Sequence, residues 1–330
     1  MTSEIKAKEK IFTISASPHI RCEESISKIM WNVNLALAPA AIFGAIHFGI
    51  PALINIVVSI FSAVLAEYLV QKFRKVKITA FDGSAFLTGL LLAMSVSPNL
   101  PPVMMAVGSF IAIVIAKQSM GGLGYNIFNP AHIARAALMV SWPVAMTNWT
   151  SLTTKVDVVT SATPLAILKQ QGYSKLLDTF GGHTALYKAM FLGNRNGSIG
   201  ETSTILLLLG GVYLLYKGYI NIEIPVCMIG TVGLLTWIFG PNGFFTGDPL
   251  FNMMAGGLVI GAFFMATDMV TIPITHKGQI IFAIGAGMIT VLIRLKGGYP
   301  EGVCYSILLM NAVTPLIDRF VQPKKFGVRG

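Results

Sequence analysis

The side chains best suited to chemistry lie in DVVTSATPLAIL, residues 157–168, inside the longest polar interval of the chain. Thr163 stands directly before Pro164, and threonine at the N-cap with proline at the first helical position favours a helix start. A helix start presents free backbone N–H groups and the positive end of the helix dipole, so it can hold a phosphate. Local chemistry allows two interpretations: Thr163 only caps a short amphipathic helix, or it is the seat of a phosphate group.

Three further polar residues, Asn126, Asn129 and Arg135, surround a Gly-rich break and the apolar segment 130–144 that follows it. Polar side chains within a membrane segment are costly, which makes them candidates for binding or transport. Two interpretations again stay open, because the same side chains could serve only to tie the break together. In either case we expect them to face protein rather than lipid.

Three carboxylates near the ends of apolar segments, Asp82, Asp268 and Glu301, could line an ion path. Solvation at the membrane interface is the simpler role for each of them. Ser198 and Glu201 have the spacing of a capping box, and we expect that role rather than contact with a cofactor. The five histidines and three cysteines show no metal-ligand spacing, so no metal site is expected.

The elements that position these residues must lie in a membrane. Of 330 residues, 54% are hydrophobic and only 12% are charged, and the mean hydropathy is +0.70. A soluble protein of this length needs far more charge on its surface. Repeated apolar runs of spanning length predict an all-α polytopic membrane protein. The net charge of +10 does not indicate nucleic-acid binding, because the basic residues cluster at the predicted membrane edges.

Hydropathy predicts about ten spans, at 30–46, 51–70, 84–96, 102–116, 130–144, 202–216, 224–239, 251–266, 279–295 and 302–317. The basic segment QKFRKVK after the second span and the basic end of the chain place both termini in the cytoplasm. The polar interval 147–200 then falls on the external face. Arg294 and Lys296 also fall at an external end, and we expect them to snorkel or to face protein.

An internal repeat is visible in two stretches about 175 residues apart. In each, a polar-tipped span runs into a proline turn (Pro98 or Pro273), then an apolar span, a Gly-Gly pair and a final span. A repeat of five spans inverts its second copy, and such inverted repeats place a site near the midplane between the halves. The alternative is that Gly and Pro only mark helix ends. The predicted segments are 1–27 (cytoplasmic), 28–146 (first repeat), 147–200 (external insertion), 201–318 (second repeat) and 319–330 (cytoplasmic tail).

The stretch from Asp157 to Thr163 resembles the flavinylation motif D-x-x-[ST]-[GS]-A-T, in which Asp157, Thr160 and Ala162 occupy defined positions of the pattern. In proteins that carry this motif, the last threonine bears FMN through a phosphoester that a flavin transferase installs. The resemblance therefore implies that Thr163 is the covalent FMN site.

The similarity extends over nearly the whole chain and is carried by SPHIR (17–21), FDGSAFLTGLLLAMSVSP (81–98), GYNIFNPAHIARAAL (124–138), GNRNGSIGETS (193–203) and LKGGYPEGVCYSILLMNAVTPLIDRF (295–320). These motifs resemble the D subunits of Rnf complexes, which are ion-pumping ferredoxin:NAD oxidoreductases, and the related B subunits of sodium-pumping NADH:quinone oxidoreductases. The resemblance implies a five-plus-five inverted, urea-transporter-like fold. Some relatives also hold a noncovalent riboflavin.

The function that the resemblance implies is electron transfer through FMN, coupled to export of Na⁺ or H⁺ across a bacterial or archaeal cell membrane. The sequence has no nucleotide-binding Gly-rich loop and no cysteine set for an Fe–S cluster, so such a subunit has no complete activity alone. The implied partners are other membrane and peripheral subunits, a second FMN-bearing subunit, Fe–S and NADH-binding subunits, the flavin transferase and membrane lipids. The alternative function is a urea-like channel for small neutral solutes without redox activity.

Overall fold

The computed structural model describes residues 24–149, 163–240 and 243–323. Its helices are α1 Ile26–Phe48, α2 Ile50–Phe73, α3 Ser84–Met94, α4 Pro102–Phe110, α5 Pro130–Ser141, α6 Pro143–Met146, α7 Pro164–Phe180, α8 His183–Leu192, α9 Thr204–Tyr216, α10 Glu223–Ile238, α11 Pro249–Met254, α12 Leu258–Ile260, α13 His276–Lys296 and α14 Val303–Phe320. A π-helical segment extends α4 over Ile111–Gln118, another extends α12 over Gly261–Met265, and a 3₁₀ turn covers Ile199–Glu201. The strands β1 Phe239–Gly240 and β2 Gly243–Phe244 pair antiparallel.

Four of the described helices, α1, α2, α13 and α14, are long and apolar enough to cross a membrane. Four shorter apolar helical segments accompany them: α3, α4 with its π extension, α9 and α10. Large apolar side chains such as Leu35, Phe61 and Leu292 stay exposed along the long helices, which is the pattern of a lipid-facing surface. The chain is therefore a mostly helical integral membrane protein.

The predicted eighth span, 251–266, is not one continuous helix. The chain forms α11, leaves the helix at Ala255, turns through Gly256 at φ +66, and begins α12 at Leu258. Glycine adopts this positive φ without the steric cost that a Cβ would add. The break brings the Ala255 carbonyl to the Arg294 side chain of α13 and the Gly257 N–H to the Glu301 side chain before α14, and each pair forms a hydrogen bond.

The core joins the two predicted halves of the chain. Across the two halves, α1 packs against α9 and α5 packs against α14. One continuous buried apolar cluster contains side chains from both halves, among them Leu37, Met94, Leu207 and Phe282. A close backbone approach supports the first of these contacts, since a Cβ on Gly210 would lie 2.3 Å from the carbonyl oxygen of Ala36.

The described part of the polar insertion forms its own small core on the second half. Leu165, Leu176, Leu186 and Met190 from α7 and α8 pack against Phe251 of α11. At the surface, the Lys169 ammonium donates a hydrogen bond to the carbonyl of Gly297 and another, at 2.9 Å, to that of Tyr299. These contacts fix α7, and with it Thr163, beside the end of α13.

Candidate functional site

Thr163 occupies the N-cap of α7, as the sequence predicts. Its Oγ1 accepts a hydrogen bond from the Ala166 N–H at 3.3 Å, and Pro164 follows at the first helical position. The Thr163 side chain is nevertheless only 8% exposed, because it faces into the protein rather than into solvent. The cap and the buried position together put a hydroxyl at the positive end of a helix inside a cavity.

A cavity lies beside Thr163. Its polar wall is formed by Thr163, Arg135, Arg195, Glu201 and Glu301, and its apolar wall includes Met139, Trp149 and Tyr305. Mixed aromatic and charged walls suit a planar ring system that bears an anionic tail.

Arg135 and Glu301 form an ion pair at the bottom of this cavity. Glu301 also accepts a hydrogen bond from the Gly257 N–H at 2.7 Å, at the break between α11 and α12. Burial opposes ionisation of Glu301, but the Arg135 charge holds the pKa of this carboxyl below its ordinary value. The Arg135 Nε has no hydrogen-bond partner among the described residues, so one buried donor is left for a ligand.

Glu201 corrects one sequence prediction. The Ser198 side chain makes no capping hydrogen bond at the start of the 3₁₀ turn, so Ser198 and Glu201 do not form a capping box there. Glu201 instead lines the Thr163 cavity and is 7% exposed. Burial, and then the nearby Glu301 carboxylate, raise the pKa of Glu201 to about 7.

Arg195 and Arg294 brace the cavity through backbone carbonyls. Arg195 donates to the Glu201 carbonyl at 2.8 Å and to the Met254 carbonyl at 2.9 Å. Arg294 donates to the carbonyls of Asn252 and Ala255, at 2.7 and 2.9 Å. Of the two alternatives for Arg294, snorkelling or facing protein, the structure shows the second. Arg195 was missed as a site residue because a single arginine in a polar loop gives no local signal.

Asn126, Asn129 and Asp268 lie together elsewhere, around a second cavity. Asn129 caps α5 by accepting from the N–H groups of Ala131 and His132, and it donates to the Met265 carbonyl at 3.2 Å. Asn129 thus ties the Gly-rich break to the other half of the chain. Arg135 is therefore the one member of this predicted trio that reaches the Thr163 cavity.

Lys117 and Glu67 form a buried ion pair beside the second cavity, which Lys117 lines. The Lys117 ammonium donates to Glu67 Oε2 at 2.7 Å and to the Ser84 hydroxyl at 2.6 Å. Gln71 and Gln118 both donate to Glu67 Oε1. Sequence reasoning missed this pair, although a lysine and a glutamate within the apolar runs IAIVIAKQ and VLAEYLV were the available signal.

Asp82 lies in neither cavity. It accepts hydrogen bonds from the Ser84 N–H and hydroxyl, at 2.8 and 2.6 Å, before α3. The role of Asp82, Asp268 and Glu301 in an ion path stays a prediction. The motif residues Asp157, Thr160 and Ala162 lie outside the described residues.

Comparison with known proteins gives matches over the whole chain. The D subunit of the proton-translocating ferredoxin:NAD(+) oxidoreductase complex from Clostridium ljungdahlii is 73% identical, and the match covers 99% of both chains. The D subunit of the Na(+)-translocating ferredoxin:NAD(+) oxidoreductase complex from Acetobacterium woodii is 46% identical over 96% of this chain and 95% of its own. The D subunit of the ion-translocating oxidoreductase complex from Stutzerimonas stutzeri is 41% identical over 92% of each chain.

The family comparison agrees with these relatives and with the motifs quoted from the sequence. The model of one family matches residues 13–327, which is nearly the full length of the chain. The fold and the comparisons thus lead to one assignment: this chain belongs to the NQR2, RnfD, RnfE family.

Proposed function

We propose that this chain carries FMN on Thr163 through a phosphoester, and that it passes electrons within an ion-translocating ferredoxin:NAD⁺ oxidoreductase complex. The observation that carries this proposal is the position of the Thr163 hydroxyl, at a helix N-terminus and in a buried cavity with Arg135 and Arg195. The names of relatives at 73% and 46% identity support the type of complex.

The residues that line the Thr163 cavity are chemically suited to bind FMN. The N-terminus of α7 would hold the phosphate of the ester, and the unpaired Arg135 Nε is a donor for an anionic group nearby. Trp149, Tyr299 and Tyr305 offer apolar surface for the flavin ring. When bound, the flavin supplies the electron-transfer chemistry, while the protein sets its position and electrostatic surroundings.

The test is in-gel flavin fluorescence of the denatured full-length protein, produced together with a flavin transferase. We expect a fluorescent band for the natural sequence and none for Thr163→Ala, because the alanine has no oxygen to form the ester. Thr147→Ala is the matched control, since Thr147 lines the same cavity and should not carry flavin. Fluorescence that survives Thr163→Ala, or is absent from the natural protein, would refute the assignment.

We propose that a noncovalent riboflavin binds in the second cavity, between α1, α5 and the π segment at Gly261–Met265. This cavity is lined by the polar groups of Lys117, Asn126 and Asp268 and by the aromatic rings of Phe263 and Phe264. Acid extraction of the native, purified Thr163→Ala protein tests this point: the flavin released should be riboflavin, at about one per chain. Extracts without riboflavin would contradict the proposal.

The proposed partners are subunits that carry the centres this chain does not encode: a second FMN-bearing subunit, Fe–S and NADH-binding subunits, and a flavin transferase for maturation. The proposed coupling ion is Na⁺ or H⁺, as in the relatives' names. We also propose the five-plus-five inverted, urea-transporter-like arrangement, supported by the order of elements: α3 precedes Pro98 and α4, and α12 precedes Pro273 and α13.

A further inference from the structure

The two carboxylates of the Thr163 cavity differ in their partners. Glu301 pairs with Arg135 and accepts from the Gly257 N–H, so its charge is balanced. Glu201 lines the same cavity, yet its carboxylate forms no ion pair with any described residue. Its only side-chain hydrogen bond within the described chain is with Ser198.

The other charged groups around Glu201 cannot easily exchange a proton. Arginine does not give up its proton in proteins, and the Arg195 and Arg294 guanidinium groups are engaged by backbone carbonyls. Glu301 is held ionised by Arg135. Five elements contribute ionisable groups that face Glu201 or the cavity. These groups are His132 and Arg135 of α5, Arg195 before the 3₁₀ turn, Arg294 of α13, Tyr299 and Glu301 before α14, and Cys304 and Tyr305 of α14.

When an electron is added in this cavity, the electrostatic free energy of any second negative charge near that electron rises. The cavity is buried, and the interaction of two charges grows as the local dielectric constant falls. A carboxylate without an ion-pair partner responds to this by binding a proton, which restores the net charge. Of the two carboxylates, Glu201 is the one that has no ion-pair partner among the described residues and can therefore bind this proton.

We propose that Glu201 takes up the proton that balances each electron added to the flavin on Thr163. The electron comes from an iron–sulfur donor of a partner subunit and ends on the flavin. One proton from water forms an O–H bond at a Glu201 Oε atom, and the same proton leaves when the electron moves on. This inference rests on the proposed attachment of FMN to Thr163.

The test is a redox titration of the covalent flavin in the full-length protein at several pH values. With one proton bound for each electron, the midpoint potential of the natural protein should fall by about 59 mV for each tenfold drop in proton concentration near neutral pH. Glu201→Gln, which cannot ionise, should remove this slope and keep the potential near its low-pH value. Glu201→Asp should retain the slope, because it keeps a carboxylate.

Glu223→Gln is the control, because Glu223 pairs with His276 at the start of α10, outside the cavity, and its loss should leave the slope unchanged. A slope that persists in Glu201→Gln would overturn the inference, since the proton would then bind elsewhere. If Glu201→Gln fails to accumulate, infrared difference spectra of the natural protein decide. A carboxylic-acid C=O band that appears on reduction and shifts after ¹³C-glutamate labelling supports the inference, and its absence overturns it.

The two proposals fail in different ways. Loss of covalent fluorescence from the natural protein would contradict the FMN attachment before any potential is measured. A fluorescent, redox-active protein whose pH slope does not depend on residue 201 would contradict only the role of Glu201. If Glu201 had only a structural function, its substitution would not remove the pH dependence of the midpoint potential.

Discussion

At the scale of single residues, the buried positive charges of the described chain follow two patterns. Arg195 and Arg294 direct their guanidinium groups at backbone carbonyls exposed by breaks in the helices. Lys117 and Arg135 instead pair with carboxylates, each within reach of one cavity. The first pattern satisfies backbone groups that no water can reach. The second keeps a charge beside a possible ligand, where a small change of partner has a large electrostatic effect.

Glu67→Gln should destabilise the protein strongly. It leaves the Lys117 ammonium buried without a countercharge, and breaking a buried pair in this way costs about 3–5 kcal/mol. Thermal unfolding of the purified protein in detergent measures the effect. The double variant Glu67→Gln/Lys117→Met removes both charges and should recover much of the loss.

Glu24→Gln serves as the control for this experiment. Glu24 pairs with Lys28 at the surface, with side-chain exposures of 39% and 50%, and solvent screening makes such pairs weak. Equal destabilisation by Glu24→Gln and Glu67→Gln would contradict the expectation that the Glu67–Lys117 pair matters because it is buried.

At the scale of elements, local signals predicted helix starts and failed at interruptions. Asn129 before Pro130 and Thr163 before Pro164 are capped starts in the structure, because a cap depends on three or four consecutive residues. The break at residues 255–257 was not predicted, since hydropathy averages over a window and residues 251–266 are mostly apolar, although the pair Gly256-Gly257 was an available local signal. That break is stabilised by Arg294 and Glu301, which are distant in sequence, so a local sequence pattern does not include them.

Gly210→Ala should loosen the contact between α1 and α9. The new methyl group would lie 2.3 Å from the Ala36 carbonyl oxygen, so one helix must shift, and such overpacking costs about 1–3 kcal/mol. The lower unfolding temperature is measurable in detergent by the same assay.

Gly230→Ala in α10 is the matched control, because a Cβ there meets no atom within 4 Å. Alanine favours the helix over glycine, so this variant should be neutral or more stable by up to about 1 kcal/mol. A similar loss of stability in both glycine variants would mean that helix packing at Gly210 is not the cause.

At the scale of the whole molecule, the order of apolar segments predicted a helical membrane protein, and the family assignment agrees. Pattern alone could not show that Thr163, Arg135, Glu201 and Glu301 share one cavity, because these residues are joined only by the packing of α5, α7 and α14 around the broken segment. The prediction for Glu201 was wrong for this reason: a capping box is a local pattern, and its true surroundings are not local.

The predicted orientation is testable by labelling with a membrane-impermeant maleimide in intact cells. In a variant whose three native cysteines are replaced by alanine, Lys175→Cys in α7 should react from outside, because the insertion is predicted to be external. Lys72→Cys, at the basic end of α2, should react only after the cells are opened. The reverse labelling pattern would invert the topology and place the Thr163 cavity at the cytoplasmic face.

The cavity beside Thr163 takes Arg135 from the first half of the chain and Glu201, Gly256 and Glu301 from the second. Whatever displaces one half against the other therefore alters the charges around the proposed flavin. Thermodynamic linkage makes this relation reciprocal, so a change in the flavin's electron affinity must be matched by an equal bias on the arrangement of the two halves. In such a protein the redox potential of one group and the conformational equilibrium of the whole subunit are two measures of the same coupling free energy.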